Sequence, residues 1–277
     1  MGEVLVRVTS RLERAGLPSP EADTSALLGA LLNVSRSELL LRRTRVLSAA
    51  ELTQLGDWVA RREARIPLQH ILGVAHFYGL TLRVTSDTLI PRPETERLVE
   101  VGLLSLKDIS QPKGLDVGTG SGAVALAIKA ERPGAVVWGT DVSPEALQVA
   151  ADNAAFLGLE VHFTRADLLD DADVQTFARS ADLLISNPPY LPEADAATLS
   201  PEVQRDPPTA LFSGTDGLAH FRKLTAEAST LLKPGAVCLL ELDPRNVQRA
   251  RAESHGWAEA AVHTDLTGRE RFLLLRR

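Results

Sequence analysis

The chain has 277 residues, 44% hydrophobic and 24% charged, which supplies a full-sized core and excludes a disordered or fibrous protein. A formal net charge of -6 argues against general nucleic-acid binding, which depends on Lys and Arg neutralising phosphates. The single cysteine, Cys238, excludes an intrachain disulfide and, within the apolar run Ala236 to Leu240, reads as a buried, inert thiol in a reducing compartment.

The first residues, Met1-Gly2-Glu3-Val4, carry no basic stretch followed by an apolar one, and no apolar run reaches the roughly 18 residues of a membrane span. A cytoplasmic location is expected. Up to residue 65 apolar positions recur at three and four, so short helices are predicted. Val4, Val8 and Leu12 mark the first, ending near Gly16. Ser19-Pro20-Glu21 offers a cap, a first-turn proline and an acid at the positive end of the next helix, whose buried face holds Leu27, Leu28, Leu31 and Leu32. Ser35 with Glu38, and Ser48 with Glu51, have capping-box spacing for a third and a fourth helix, the last running to Arg65 before Pro67.

Residues 1–70 hold ten Arg against eight Asp or Glu, a balance of +2 that leaves -8 on the remainder. Two clusters, Arg42, Arg43 and Arg45, then Arg61, Arg62 and Arg65, read either as solvated helix faces or as contacts for an acidic partner or RNA. From Ile71 to Pro91 the pattern changes to strand and turn, with period-two alternation from Phe77 to Val84. A hairpin joining two domains is expected, followed by a proline-ordered loop, Ile90-Pro91-Arg92-Pro93-Glu94-Thr95-Glu96, and a helix through Leu98, Val101 and Leu104.

Past Gly114 strands and helices alternate, the signature of a parallel sheet covered on both faces. Strands are predicted over 114–117, 136–141, 161–164, 182–186 and 236–242, and helices over 121–131, 144–156, 217–232 and 244–254. The last two strands, 260–264 and 272–276, flank a segment too short for a crossover and are predicted to pair antiparallel.

Leu115-Asp116-Val117-Gly118-Thr119-Gly120-Ser121-Gly122 is a strand running into a glycine turn that opens a helix. Such a turn lets a ligand approach the backbone, and the helix start offers free N–H donors. Asp141 ends the next strand, where a carboxylate can accept both ribose hydroxyls. The turn lacks the Lys and Ser or Thr of a P-loop, and its third glycine comes one place early for a dinucleotide fingerprint. Asp167 and Leu168 follow the third strand and could bind an adenine amine and cover its ring. Together these residues favour S-adenosylmethionine over NAD.

Asn187-Pro188-Pro189-Tyr190 follows the apolar strand 182–186 at the carboxyl edge of the sheet. The Asn187 oxygen and the Pro188 carbonyl can accept both N–H bonds of a planar amine or amide, two prolines hold those acceptors rigid, and Tyr190 can stack on the flat group. An amide nitrogen is a poor nucleophile, so polarising its N–H bonds and aiming it at a sulfonium methyl favours transfer through positioning, without a metal or general base. Amide, adenine and cytosine nitrogens all remain open at this point. His70 has no second ligand at metal spacing and reads as a packing or hydrogen-bonding residue. Arg92 and Thr95 read as a border of the methionine end of the cofactor or as loop-ordering residues, and Glu241 as a strand-end acid.

The chain resembles the release factor glutamine methyltransferases, within the seven-stranded S-adenosylmethionine-dependent class. Beyond the four-residue motif, the likeness lies in Pro67-Leu68-Gln69-His70-Ile71-Leu72-Gly73, Phe77-Tyr78-Gly79-Leu80, the loop Ile90 to Glu96, and Ala210-Leu211-Phe212-Ser213-Gly214-Thr215-Asp216-Gly217-Leu218. It implies an α/β fold, a Rossmann-like seven-stranded sheet with a final antiparallel strand, plus a small N-terminal all-α domain. The expected division is 1–70 for a helical substrate-docking domain, 71–92 for a hairpin linker and 93–277 for the methyltransferase domain. The resemblance also implies methylation of the glutamine amide nitrogen in the Gly-Gly-Gln motif of peptide-chain release factors. By the same likeness Gly118, Thr119, Gly120, Ser121, Gly122, Asp141 and Leu168 line the cofactor, beside the Asp167 read from its place after the third strand; Asn187 touches cofactor and substrate, and Pro188, Pro189 and Tyr190 hold the glutamine. Two positions depart from the family pattern: Asp206-Pro207 stands where Glu-Pro is usual, and Leu168 where an aromatic is frequent.

The competing readings are an amine methyltransferase of DNA or RNA, an NAD-dependent oxidoreductase, and a non-catalytic RNA- or protein-binding module on the same fold. The first calls for a basic groove, which the acidic C-terminal part does not offer by count. Nothing in the sequence demands more than a monomer.

Overall fold

The structure, a computed structural model, describes every residue except Arg43. Contacts divide the chain into two compact units, Met1–Val74 with Ser200–Arg205, and Ala75–Leu199 with Asp206–Arg277. The first is helical: α1 (Gly2–Arg14), α2 (Pro20–Leu32), α3 (Arg36–Leu41), α4 (Ala49–Glu63) and a short α5 (Leu68–Leu72) that periodicity does not reveal. Val8, Leu12, Leu27, Leu28, Leu55, Val59 and Ile71 close its core.

Both capping boxes form. Ser35 N–H donates to Glu38 at 2.8 Å while Glu38 N–H donates to the Ser35 hydroxyl, and Ser48 with Glu51 repeats the exchange. Ser19 differs from expectation, because its side chain makes no cap bond; Pro20 and the acids Glu21 and Asp23 start α2 instead. The second arginine cluster is turned inward. Arg62, only 5% exposed, donates to Asp23 at 2.8 Å and to Glu202 at 3.0 Å, and Arg65 donates to Glu202 at 2.9 Å and to the Gly16 carbonyl. These guanidiniums are therefore not a free face for an acidic partner or RNA. In the first cluster Arg45 pairs with Glu51 at 2.6 Å and Arg42 approaches Glu38, while Arg43 lies outside the described residues.

The second unit opens with a hairpin, β1 (Val74–Phe77) and β2 (Leu80–Arg83). The segment 71–92 is not a separate linker in these contacts: Ile71 belongs to the helical core, whereas Phe77 and Leu82 are fully buried in the core of the second unit. After α6 (Pro93–Ser105) the chain runs β3 (Lys113–Val117), α7 (Ala123–Glu131), β4 (Val136–Asp141), α8 (Pro144–Leu157), β5 (His162–Arg165), α9 (Ala172–Ala178) and β6 (Leu183–Ser186). Then follow α10 (Ala219–Leu231), β7 (Val237–Glu241), α11 (Val247–Glu253), β8 (Glu259–Thr264) and β9 (Glu270–Arg276). Helix α9, absent from the predicted elements, is only seven residues long and is capped by Asp171. No element is predicted between Tyr190 and Gly217 either, where short 3-10 turns occur.

Among the described residues seven strands form one sheet in the order β5-β4-β3-β6-β7-β9-β8. The first five pair in parallel, and β9 runs antiparallel to both β7 and β8. Strand residues feed two cores by alternation. Leu184, Cys238, Leu240 and Leu273 face one side, and Leu183, Ile185, Leu239 and Phe272 the other. Strand order reverses beside β3, and the registers Val117 to Thr140 and Val117 to Ser186 bring the carboxyl ends of β4, β3 and β6 side by side. In open α/β sheets that is where ligands bind.

Candidate functional site

The glycine turn leaves β3 with the N–H groups of Gly118 and Thr119 both donating to the Thr140 carbonyl at 2.8 Å. Gly118 and Gly120 have φ of 74° and 55°, and a Cβ on either would meet nothing within 4 Å, so their bare backbone faces open space. Both line a cleft at the sheet edge. Gly122 does not. It caps α7, and a Cβ there would press on Leu126 and Ala150 at 3.1 and 3.2 Å, so its bareness serves helix packing rather than ligand approach.

The turn is held from beneath by Asp116, which the sequence places in β3 without assigning it a role. Its carboxylate accepts from the Thr119 hydroxyl at 2.6 Å and from Ala125 N–H at 3.1 Å. Full burial pushes this carboxyl up to about 7, against those two hydrogen bonds. Thr119 and Ser121 border a second, smaller recess with Phe77, Arg92, Thr95 and Asn187. Asn153 on α8 braces the same turn: its amide donates to the Ser121 and Arg83 carbonyls and accepts from Arg83 N–H at 2.7 Å.

Asp141 ends β4 in the main cleft and accepts from Gly120 N–H at 2.9 Å and Ser143 N–H at 3.0 Å. Burial raises its carboxyl, and the N–H donors of Ser143 and Gly120 oppose that rise. Asp167 and Leu168 stand on the same rim. Asp167 is exposed and paired with Lys223 at 2.7 Å, while Leu168 adopts a left-handed φ of 57° and packs against the buried core below. A bare glycine cradle, an inward carboxylate and an apolar flank together fit the nucleoside end of S-adenosylmethionine.

Asn187 follows β6, which Ser186 ties to β3 by donating its hydroxyl to the Val117 carbonyl at 2.6 Å. Asn187 borders both recesses. Its Nδ2 donates to Thr95 Oγ1 at 3.1 Å, and Thr95 Oγ1 donates to Glu241 Oε2 at 2.8 Å. Thr95 and Glu241 are 4% and 1% exposed, and burial lifts the Glu241 carboxyl to about 7. The sequence names Thr95 and Glu241 singly and has no signal for this connection.

Pro189 borders the main cleft, but Pro188 is buried and Tyr190 lines neither recess. Burial and the nearby Glu241 push the Tyr190 hydroxyl up. The backbone at Tyr190 is fixed by Gly217: at its φ of 77°, a Cβ would stand 2.3 Å from the Tyr190 carbonyl oxygen. Downstream, Leu191 and Phe212 form an isolated parallel bridge that seats the Ala210–Leu218 segment beside the motif. Asp206, the residue departing from the usual Glu, is buried and accepts from Arg92 at 2.5 Å. Burial raises its carboxyl despite that partner.

Among the described residues no group of His, Cys, Asp and Glu is arranged to hold a metal ion, and no helix is long and apolar enough to cross a membrane.

Comparison with known proteins matches residues 3–73 to the PrmC N-terminal domain and residues 99–213 to the Methyltransferase small domain. The release factor glutamine methyltransferase of Deinococcus radiodurans is 47% identical over 277 residues, covering 99% of this chain and 98% of that protein. That of Rhodospirillum rubrum is 42% identical over 281 residues, covering 100% of this chain and 85% of that protein. Among solved structures, the hMettl16 catalytic domain, in complex with MAT2A 3'UTR hairpin 6, superposes with a TM-score of 0.57 at 16% identity over 83% of this chain and 82% of that one. At that identity the likeness concerns the fold alone.

Proposed function

The chain belongs to the release factor glutamine methyltransferase family, and we propose that it transfers a methyl group from S-adenosylmethionine to the side-chain amide nitrogen, N5, of the glutamine in the Gly-Gly-Gln motif of peptide-chain release factors. The observation that carries this reading is Asn187 at the end of β6, its Nδ2 engaged by Thr95 beside the glycine cradle. The amide atom left to accept from a substrate N–H is then Oδ1.

In this reading Gly118, Gly120 and Asp141 hold the nucleoside of the cofactor, with Leu168 against the adenine and Asp167 near its amine. Thr119 and Ser121 lie toward the methionine end with Arg92, while the Thr95 hydroxyl is taken up by Asn187 and Glu241. Gly122 contributes by seating α7 rather than by contact. The bound cofactor supplies an electrophilic sulfonium methyl. The protein's own part is to hold the glutamine nitrogen: Asn187 Oδ1 and the Pro188 carbonyl accept its two N–H bonds, Pro189 walls the cleft, and Tyr190 orders the motif's backbone. Two charge-free acceptors polarise the amide without removing its proton beforehand, so positioning and electrostatics lower the barrier.

Residues 1–74, with the captured segment 200–205, would dock the release factor away from its glutamine, since a short substrate loop offers little area for discrimination. Peptide-chain release factors in the cytoplasm are the partners that fit, and a buried lone thiol, Cys238, suits that compartment. Incubation with labelled S-adenosylmethionine and unmodified release factor, followed by mass mapping, tests the assignment. A methyl group on the Gly-Gly-Gln glutamine is expected; label entering DNA or RNA and not that glutamine would overturn it.

A further inference from the structure

Asn187, Thr95 and Glu241 come from three separate elements, and their hydrogen bonds run in one direction. A carboxylate can only accept, so an ionised Glu241 obliges the single Thr95 hydroxyl proton to point at it. The Thr95 oxygen is then left as an acceptor, and it takes a proton from Asn187 Nδ2. The amide of Asn187 is thereby oriented with its oxygen outward. With Glu241 protonated, the carboxylic acid can donate to Thr95, the Thr95 proton is released to donate to Asn187, and a rotation of the amide by half a turn satisfies every group equally well. That rotated amide presents N–H to the substrate, the wrong polarity for holding an NH2.

We propose that Glu241, acting through the Thr95 hydroxyl, is a positioning residue that sets which end of the Asn187 amide faces the substrate, and that only its carboxylate form does so. The proposal rests on the amide-methylation reading above. It assigns a task to a strand-end acid that could otherwise be read as satisfying local donors. Neither Thr95 nor Glu241 needs to touch the reacting atoms, since a hydroxyl relays donor and acceptor sense as well as a direct contact does.

The surroundings of Glu241 bear on its proton. Arg92 and Glu94 face it from the start of α6, Arg271 from β9, and Tyr190 from the chain after β6, with Asp243 two residues on, past the end of β7. Burial is the dominant influence and favours the neutral acid; Glu94 adds to it, while Thr95, Arg271 and Arg92 favour the carboxylate. The balance lies at about 7, so both forms are populated near neutrality. Turnover should therefore rise with pH across that region.

The test measures kcat and KM for release-factor methylation across about pH 5.5 to 8.5, and S-adenosylmethionine affinity by calorimetry, in the wild type, Thr95→Val, Thr95→Ser and Glu241→Gln. Thr95→Val should lower kcat by about tenfold or more with cofactor affinity within about threefold, and Thr95→Ser, which keeps the hydroxyl, should recover most of the rate. Glu241→Gln can donate or accept, so it should run below the wild-type plateau and lose the acidic limb of the kcat profile. Thr95→Val at a wild-type rate, or an unchanged acidic limb in Glu241→Gln, overturns the proposal, and so does a loss confined to cofactor affinity. If Thr95→Val fails to fold, the Glu241→Gln profile decides alone. Failure of the wild type to methylate the glutamine would instead reject the reading on which the proposal stands.

Discussion

The Thr119 hydroxyl donates to the buried Asp116 carboxylate across 2.6 Å, so the residue between Gly118 and Gly120 is anchored to the strand below it. Asp116 also accepts from Ala125 N–H at the start of α7, which joins strand, turn and helix through one side chain.

That anchor makes stability depend on pH. Burial raises the folded-state Asp116 carboxyl from 3.8 to about 7, so between these values the folded protein keeps a proton that the unfolded chain has lost. Stability is then greatest on the acidic side of this window and falls as pH rises through it, by on the order of a few kcal/mol. Asp116→Asn keeps an acceptor for Thr119 and removes the charge. Urea unfolding of the C-terminal unit at about pH 5 and pH 8 should show a shallower decline in the variant than in the wild type. Parallel declines would contradict the burial argument.

Asp141 accepts two backbone N–H bonds and retains lone pairs toward the cleft. Asp141→Ala is expected to weaken S-adenosylmethionine binding by about 10- to 100-fold in calorimetry, the loss of hydrogen bonds to a charged acceptor. An unaltered Kd would remove Asp141 from the cofactor site. NAD should give no binding heat with either protein.

Asn187→Ala removes the amide while leaving the buried Ser186 and Pro188 in place. Turnover on release factor should fall by about 100- to 1,000-fold, the scale seen when one preorganised hydrogen-bonding group is deleted from a site. The thermal midpoint should change little. A near-normal kcat would refute the amide-holding mechanism.

Gly217→Ala addresses the backbone of the motif. The added Cβ would meet the Tyr190 carbonyl at 2.3 Å, and Ala is disfavoured at a φ of 77°. A loss of about 1–3 kcal/mol in stability is expected from the strained backbone, with a drop in kcat of about tenfold or more as Tyr190 and Pro189 shift. Wild-type values for both stability and kcat would show that the segment after Ser213 does not hold the motif.

Arg62 bridges Asp23 and Glu202 inside the helical unit at 5% exposure. Arg62→Ala leaves Asp23 without its ion-pair partner, while Glu202 keeps Arg65, and should destabilise that unit by about 3–5 kcal/mol. Arg62→Met combined with Asp23→Leu, which leaves Glu202 paired with Arg65, should recover much of this. Chemical denaturation followed at Trp58 in α4 reports on the unit directly, and a loss within about 0.5 kcal/mol for Arg62→Ala would mean the pair is open to solvent.

Local pattern determined much of this protein. Strand and helix alternation, the glycine turn, Asp141 and the Asn187 motif are all readable because each depends on neighbours within a few residues: period two or 3.6, a proline-fixed φ, a helix start. The family likeness of the whole chain was legible for the same reason. What only the tertiary structure decided are relationships between residues far apart in sequence. Thr95 and Glu241 meet across 146 positions, Arg92 and Asp206 across 114, and Arg62 and Glu202 across 140. No periodicity encodes such pairs, since they follow from strand order and from where loops return. The same holds for Gly122, indistinguishable in sequence from Gly118 and Gly120 but set against Ala150 by the packing of α8, and for the arginines that turn inward because a segment near residue 200 supplies their acid.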